Sequence, residues 1–270
     1  MNPKDARDAP IFEVDPNPNW IGVWTLYVRE VRRFRKVHAQ TVIAPVVTTL
    51  LFLAIFTLAL GRSVELVNGV PFVEFLTPGL IMMAIAQNAF ANTSSSIVIS
   101  KVQGNIVDTL MPPLTAGDLT LGHAMGGATR GLVVGLVATL AMVFFVPVTF
   151  AHPWAILYFA LMASLMLSLL GVVAGIWSEK FDHIAAVTNF IVMPLSFLSG
   201  TFYSIDRLHP AIRTLAHANP FFYMIDGFRY GFTGVADMPV AVGMAVLAGV
   251  DAALWALAHR MFRTGYKLKP

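Results

Sequence analysis

The sequence is short of charge. Among 270 residues there are 18 Lys and Arg and 15 Asp and Glu, or 12%, whereas 57% are hydrophobic. A soluble domain carries about 25% charged residues, and a surface of this size cannot be covered with half that. The composition excludes an ordinary soluble protein and points to a bilayer as part of the solvent. Cysteine is absent, which excludes a disulfide framework, an iron–sulfur cluster, a thiol nucleophile and a Cys-based zinc site. The net charge of +3 is too small and too unevenly placed for a nucleic-acid binder.

Catalytic signatures are missing as well. A Walker A loop needs Gly-Lys followed by Ser or Thr. None of Lys4, Lys36, Lys101, Lys180, Lys267 and Lys269 follows a glycine or precedes Ser or Thr, so the chain is not expected to hydrolyse ATP by itself. The seven histidines form no HExxH pair, and most fall at expected helix ends, where such rings face headgroups. There is no GxSxG, and the run Ser94-Ser95-Ser96 has no paired base in view. Residues 1–19 are polar and rich in Pro and Asp, without the apolar core of a secretory signal. They read as a disordered cytoplasmic tail.

What is present in quantity is long apolar runs. A bilayer core about 30 Å thick takes roughly 20 residues of helix. Six stretches meet this length: about 38–60, 72–97, 119–146, 154–177, 183–203 and 239–258. The expected architecture is an all-α membrane protein of six spans. Its membrane domain covers 38–262, with a short cytoplasmic tail at 263–270. Residues 1–37 carry seven basic groups (Lys4, Arg7, Arg29, Arg32, Arg33, Arg35, Lys36), and 259–270 carry four (Arg260, Arg263, Lys267, Lys269). With Lys101 and Lys180, thirteen lie on one side, against Arg62, Arg207, Arg213 and Arg229 on the other. The positive-inside rule then makes both termini cytoplasmic, as an even number of spans requires.

The segment 20–37 is basic and aromatic together. Trp20, Trp24, Tyr27, Val31 and Phe34 recur at helical spacing, with Arg29, Arg32, Arg33 and Lys36 on the other side. Such a helix lies in the cytoplasmic headgroup region; the plainer alternative is a basic flank anchoring span one. Small residues repeat in span three at Gly122–Gly126 and Gly127–Gly131–Gly135, and in span four at Gly171–Gly175. They favour close helix packing within the bundle, with a dimer seam as the alternative.

Two ionisable groups fall inside spans and are functional candidates on that ground. Arg130 stands about two turns into span three, within snorkelling reach of the cytoplasm. Asp251 lies near the middle of span six, to be protonated, paired or facing a wet cavity. Between spans two and three, Ile99, Val102, Ile106 and Leu110 repeat at helical spacing until Met111-Pro112-Pro113, giving one short amphipathic helix on the cytoplasmic side. The 204–238 segment holds two pieces, HPAIRTLAHA and PFFYMIDGFRYGFTG, begun by Pro210 and Pro220. Asp226 and Arg229 stand three apart and are placed to pair. The second piece is aromatic enough to re-enter the outer leaflet, packed on protein.

These pieces, in this order, resemble the ABC-2 class of ABC-transporter permeases, and within it the YadH-type inner-membrane permeases of Gram-negative bacteria. The blocks that carry the resemblance are FLTPGLIMMAIAQNAFANTSSS (75–96), FLSGTFYSIDRL (197–208) and NPFFYMIDGFRYGFTG (219–234). It implies six spans, an interfacial helix (Trp20, Trp24, Arg29, Glu30, Arg33) and a coupling helix after span two. In that picture Lys101, Gln103, Gly104, Asn105 and Asp108 meet a cytoplasmic ATPase. An outer re-entrant gate would hold Pro220, Phe221, Tyr223, Asp226 and Arg229. The implied assembly is a permease homodimer with two P-loop ATPase subunits, which are separate chains carrying ATP and Mg. The implied function is a non-enzymatic permease that exports an amphipathic lipid, glycolipid or drug-like molecule across a bacterial inner membrane. The alternatives are a polysaccharide exporter of the same class and an ion-coupled transporter using Asp251; the second predicts internal repeats, and none is visible.

Overall fold

The computed structural model describes residues 17–61, 66–205 and 209–268. The expected tail up to residue 16, and Arg62, Arg207 and Lys269, lie outside the described residues. Helix α1 (Trp20–Lys36) opens on an Asn19 cap, whose side chain accepts from the Gly22 N–H, and closes on Arg33, Arg35 and Lys36, where cations suit the helix dipole. A π-helical turn, Ala39–Ile43, joins it to α2 (Ala44–Leu60). Pro45 explains the turn. It has no N–H for the usual ladder, its ring crowds the carbonyl four residues back, and a widened turn absorbs the misfit.

A two-stranded hairpin follows, β1 (Leu66–Val67) with β2 (Val70–Pro71), in the register Leu66↔Pro71 and Val67↔Val70. Its turn is Asn68-Gly69, both at positive φ, the dipeptide a tight hairpin demands. Helix α3 (Phe72–Val102) is 31 residues long and buried over most of its circumference. It is the axle of the bundle, packed on α5 (Ala116–Met142) and α6 (Pro153–Trp177). Between α3 and α5 stands α4 (Ile106–Leu110). Helix α5 opens on a capping box, with Thr115 and Asp118 each satisfying the other's backbone.

After α6 come α7 (Phe181–Val187), a second π-helical turn (Thr188–Val192) and α8 (Met193–Phe197). This π turn again precedes a proline, Pro194, so one sequence device is used twice. The chain then passes through α9 (Pro210–His217), α10 (Pro220–Thr233) and α11 (Val240–Thr264). Each of α9 and α10 begins at the proline expected.

Among the described residues five helices are long and apolar enough to cross a membrane: Ala39–Ala59, Phe72–Val102, Ala116–Met142, Pro153–Trp177 and Val240–Thr264. The expected fifth span, 183–203, is a shorter apolar helix, Phe181–Phe197. At 1.5 Å per residue its 17 residues reach about 25 Å, short of a bilayer core; Gly200 at φ +75 turns the chain beyond it. The single amphipathic helix expected after span two is also divided. Helix α3 runs on to Val102, and Gly104, at φ +76, breaks the backbone before α4.

The glycine repeats pack within the chain. Gly122 and Gly126 face Leu26 and Glu30 of α1, while Gly127, Gly131 and Gly135 face α3. Gly171 of α6 is the tightest case: an added Cβ would sit 2.1 Å from Thr93 Oγ1 and 2.6 Å from the Phe90 carbonyl oxygen.

Candidate functional site

A groove of about 730 Å³ runs between α2, α3 and the α7–α8 segment, within the ~300–1,000 Å³ usual for small-molecule sites. Its walls change character along its length. Gln40, Asn88, Ser94 and Ser95 lie at one end; Phe52, Leu80, Phe197 and Phe202 lie at the other. The apolar end is closed by rings, with Phe202 stacked 4.5 Å from Phe56 and 5.7 Å from Phe197. Both π-helical turns contribute wall residues, through Gln40 on one side and Thr188 and Val192 on the other.

Behind the polar end stands a buried cluster held by α1. This helix climbs α5 in parallel: Asn19 meets Asp118, Leu26 meets Gly122, Glu30 meets Gly126, and Tyr27 accepts from Thr129. The face turned inward is Val23, Leu26, Glu30 and Phe34, one residue per helical turn. Trp20 and Trp24 remain exposed. The two faces read from the sequence are therefore three, because the aromatic stripe and the packed stripe are different residues.

Glu30, 1% exposed, is the hub. Its carboxylate accepts from Ser96 Oγ at 2.7 Å and lies 3.3 Å from Arg33, 3.6 Å from Arg29 and 3.6 Å from His123 Nδ1. Burial alone would raise its pKa; His123, Arg33, the Ser96 hydroxyl and Arg29 outweigh burial and hold it below the usual carboxylate range. Arg33 also donates to Ser95 Oγ and to both oxygens of Asn92. One turn along α3, Asn88 accepts from Arg130 at 2.9 Å. Arg29 reaches the other way, to Thr109 Oγ1 of α4 at 3.0 Å. Charge and hydrogen bonds thus run without a break from α4 to the groove wall.

The cytoplasm-facing candidates divide. Gln103, Gly104, Asn105 and Asp108 are exposed on the turn and on α4. Lys101 is engaged inside the fold, donating to the carbonyls of Ile176 and Ser178 at 2.6 Å each. Arg130 corrects a second expectation. Helix α5 begins at Ala116, so this residue stands almost four turns in, and it bonds Asn88 instead of snorkelling. His123 is 2% exposed and stacks on Phe262.

The outer candidates are buried and stand away from the groove. Asp226 and Arg229 do not pair within 4.0 Å. Asp226 accepts from the Asp237 and Met238 N–H groups at 2.8 and 3.1 Å. Arg229 donates to the Phe75 and Gly200 carbonyls and lies 3.7 Å over the Phe75 ring. Each turned to backbone because α10 faces the 198–204 turn on one side and the 235–238 loop on the other. Burial lifts the Asp226 pKa to about 6, against the opposing pull of those N–H groups and Arg229. Pro220, Phe221 and Tyr223 seat the first turn of α10: the Asn219 side chain caps Phe221, and Tyr223 donates to the His217 carbonyl at 2.8 Å. Asp251 is 8% exposed, neither oxygen has a hydrogen-bond partner, and it does not line the groove.

Sequence reasoning missed the groove, the hairpin, and the parts played by Asn88, Asn92 and Ser96. The signal for the last three was present: polar residues at 88, 92 and 95–96 recur at helical spacing within an apolar span.

Comparison with known proteins adds a family to this geometry. Residues 22–233 match the model of the ABC-2 type transporter family. The chain is 35% identical over 251 residues to the inner membrane transport permease YadH of Escherichia coli K12, covering 93% of this chain and 98% of that protein. It is 25% identical over 239 residues to nodulation protein J of Rhizobium leguminosarum bv. viciae, covering 85% and 88%. Nodulation protein J of Rhizobium meliloti is 24% identical over 217 residues, covering 78% and 80%.

Proposed function

The chain belongs to the ABC-2 type transporter family, and from that premise we propose that it is the permease subunit of an exporter for an amphipathic molecule. Permeases of this family generally work with an ATP-binding subunit. The observation that carries the reading is the groove, polar at one end and ringed with aromatics at the other, tied by hydrogen bonds to the exposed α4 turn. A lipid, glycolipid or drug-like molecule matches such a wall; the name of the permease relative supports transport as the task.

In this reading the ATPase is a separate cytoplasmic P-loop chain, present twice beside a permease homodimer, and holds the ATP and Mg. Both termini face the cytoplasm of a bacterial inner membrane, as the distribution of basic residues favours. The Phe181–Phe197 helix and the turn after it make the sixth crossing, and α9 and α10 re-enter the outer leaflet. Gln103, Gly104, Asn105 and Asp108 meet the ATPase. Its closure on ATP presses α4, Arg29 carries the displacement to α1, and Glu30 and Arg33 pass it to α3. The groove then opens toward the outer leaflet past Phe197 and Phe202.

Purification in mild detergent tests this reading. A cytoplasmic P-loop ATPase is expected to copurify with the chain and to be stimulated by amphiphiles. If no ATPase associates, the permease reading fails.

A further inference from the structure

The polar end of the groove has a surplus of positive charge. Arg29 and Arg33 flank a single carboxylate, Glu30, which also meets His123, and Arg130 adds a third guanidinium one turn along α3 at Asn88. Arg130 makes no ion pair within 4.0 Å among the described residues, yet its charge and that of Arg33 act on each other. A neutral glutamine would give Asn88 the same hydrogen bond, so packing does not explain this charge. A cation held unpaired in a membrane span is costly and marks function.

Hydrogen bonding shows the same surplus. Arg33 Nε, Arg130 Nε and Asn92 Nδ2 are buried N–H donors without partners, and such donors are costly unless something accepts from them. Arg33 and Arg130 stand directly behind Ser95 and Asn88, which line the groove. Among the described residues no Asp, Glu, Lys or Arg lines it. An acidic ligand entering here meets the Gln40 and Gln87 amides in front of two guanidinium groups and no repelling carboxylate, whereas a cationic one finds no counter-charge.

We propose that this end of the groove binds the phosphate of an anionic amphiphile drawn from the bilayer, with its chain lying toward Phe52, Leu80 and Phe202. The assignment rests on the permease reading, since it names the class of cargo. The Gln40 and Gln87 amides supply hydrogen bonds to the headgroup oxygens, while Arg33 and Arg130 supply the field in a low-dielectric setting.

Equilibrium binding of short-chain phosphatidic acid to the purified chain in neutral detergent tests it, with phosphatidylcholine of the same chain length as the reference. Binding of the acid is expected to be about tenfold tighter or more. In the Arg33→Gln/Arg130→Gln double variant the two lipids are expected to bind within about twofold of each other. Arg130→Lys keeps the cation and is expected to keep the preference, so a poorly folded double variant does not end the test. Equal binding by the wild-type chain, or a preference that survives the double variant, overturns the assignment. So does displacement of the lipid by millimolar inorganic phosphate, which would mark a free-anion site. These outcomes leave the permease reading standing, because copurification of the ATPase tests that separately. An acid preference without an ATPase overturns the cargo role.

Discussion

At the end of the groove nearest α1, side-chain charge holds the walls: Glu30, Arg29, Arg33 and His123 bind α1 to α3 and α5 through contacts of 2.7–3.6 Å. Beyond the far end, Arg229 grips two backbone carbonyls, one of them in the turn that carries Phe202, and stacked rings close the groove. The first arrangement joins three elements through side chains alone, with Arg29 and Arg33 each dividing their donors among several acceptors. The second fixes a turn in place. On the proposed reading the first arrangement is where the push of an ATPase would enter and the second is what would seal the exit.

The largest expected effect comes from removing the hub. Glu30→Ala leaves Arg33 and His123 without their carboxylate, and breaking a buried pair costs about 3–5 kcal/mol. Thermal unfolding in detergent is expected to fall accordingly, with hydrogen exchange rising in α1. Glu30→Gln keeps an acceptor for Ser96 and is expected to lose less. A change of under about 1 kcal/mol would show that the cluster contributes no more than a surface pair, and the contrast between the two ends would collapse.

Arg229→Met is the matching experiment at the exit. It leaves the Phe75 and Gly200 carbonyls unpaired at about 1–3 kcal/mol each, partly offset by removal of a buried charge, so a net loss of about 2 kcal/mol is expected. Hydrogen exchange should rise in the 198–204 turn and not in α1. Exchange spreading to α1 would mean that the two ends are one unit.

Gly104→Ala is smaller in stability and sharper in function. At φ +76 an alanine is strained by about 1–2 kcal/mol, but its Cβ would meet nothing within 4 Å. Lipid binding in the groove is expected to be unchanged while stimulation of the ATPase by amphiphiles falls. Asp108→Asn is expected to uncouple in the same way. Normal transport by both variants would remove the α4 turn from the coupling path.

The parts that were legible in the sequence depend on local patterning. Hydropathy sets the long helices, and Pro210 and Pro220 set the starts of α9 and α10, because a proline at the first helical position sacrifices no hydrogen bond. The helix α1 was legible as a helix, but its faces were not. Trp20 and Trp24 dominate the pattern by size, while the packed stripe runs through Val23, Leu26 and Glu30, and a buried Glu contradicts any hydropathy rule until its partners on α3 and α5 are known. The groove depends on how three elements converge, with a π turn ahead of Pro45 and another ahead of Pro194, and no single segment encodes that meeting. The Asn68-Gly69 hairpin was written plainly in the chain and was passed over because its strands are two residues each.

The smallest expected effect separates the ends by pH. Each end buries one carboxylate, and the two are pushed in opposite directions: Glu30 downward by its cationic neighbours, Asp226 upward to about 6 by burial. A lowered pKa means that the folded state favours the ionised form, so the contribution of Glu30 is present above about 4.5 and is lost as pH falls through its folded value. A raised pKa means that the folded state holds its proton more tightly, so the contribution of Asp226 is complete below about pH 4 and is lost as pH rises through 6. Of these two carboxylates only Asp226 titrates between pH 5 and 7, and its contribution to stability is expected to decline by about 1 kcal/mol over that interval. Asp226→Asn removes the ionisation while keeping an acceptor for one of the Asp237 and Met238 N–H groups, so its unfolding temperature should be flatter between pH 5 and 7 than that of the wild type. Glu30→Gln should keep the wild-type slope in that window and lose its difference from wild type only in acid. If Glu30→Gln flattens the profile between pH 5 and 7 and Asp226→Asn does not, the electrostatic contrast between the two ends is reversed.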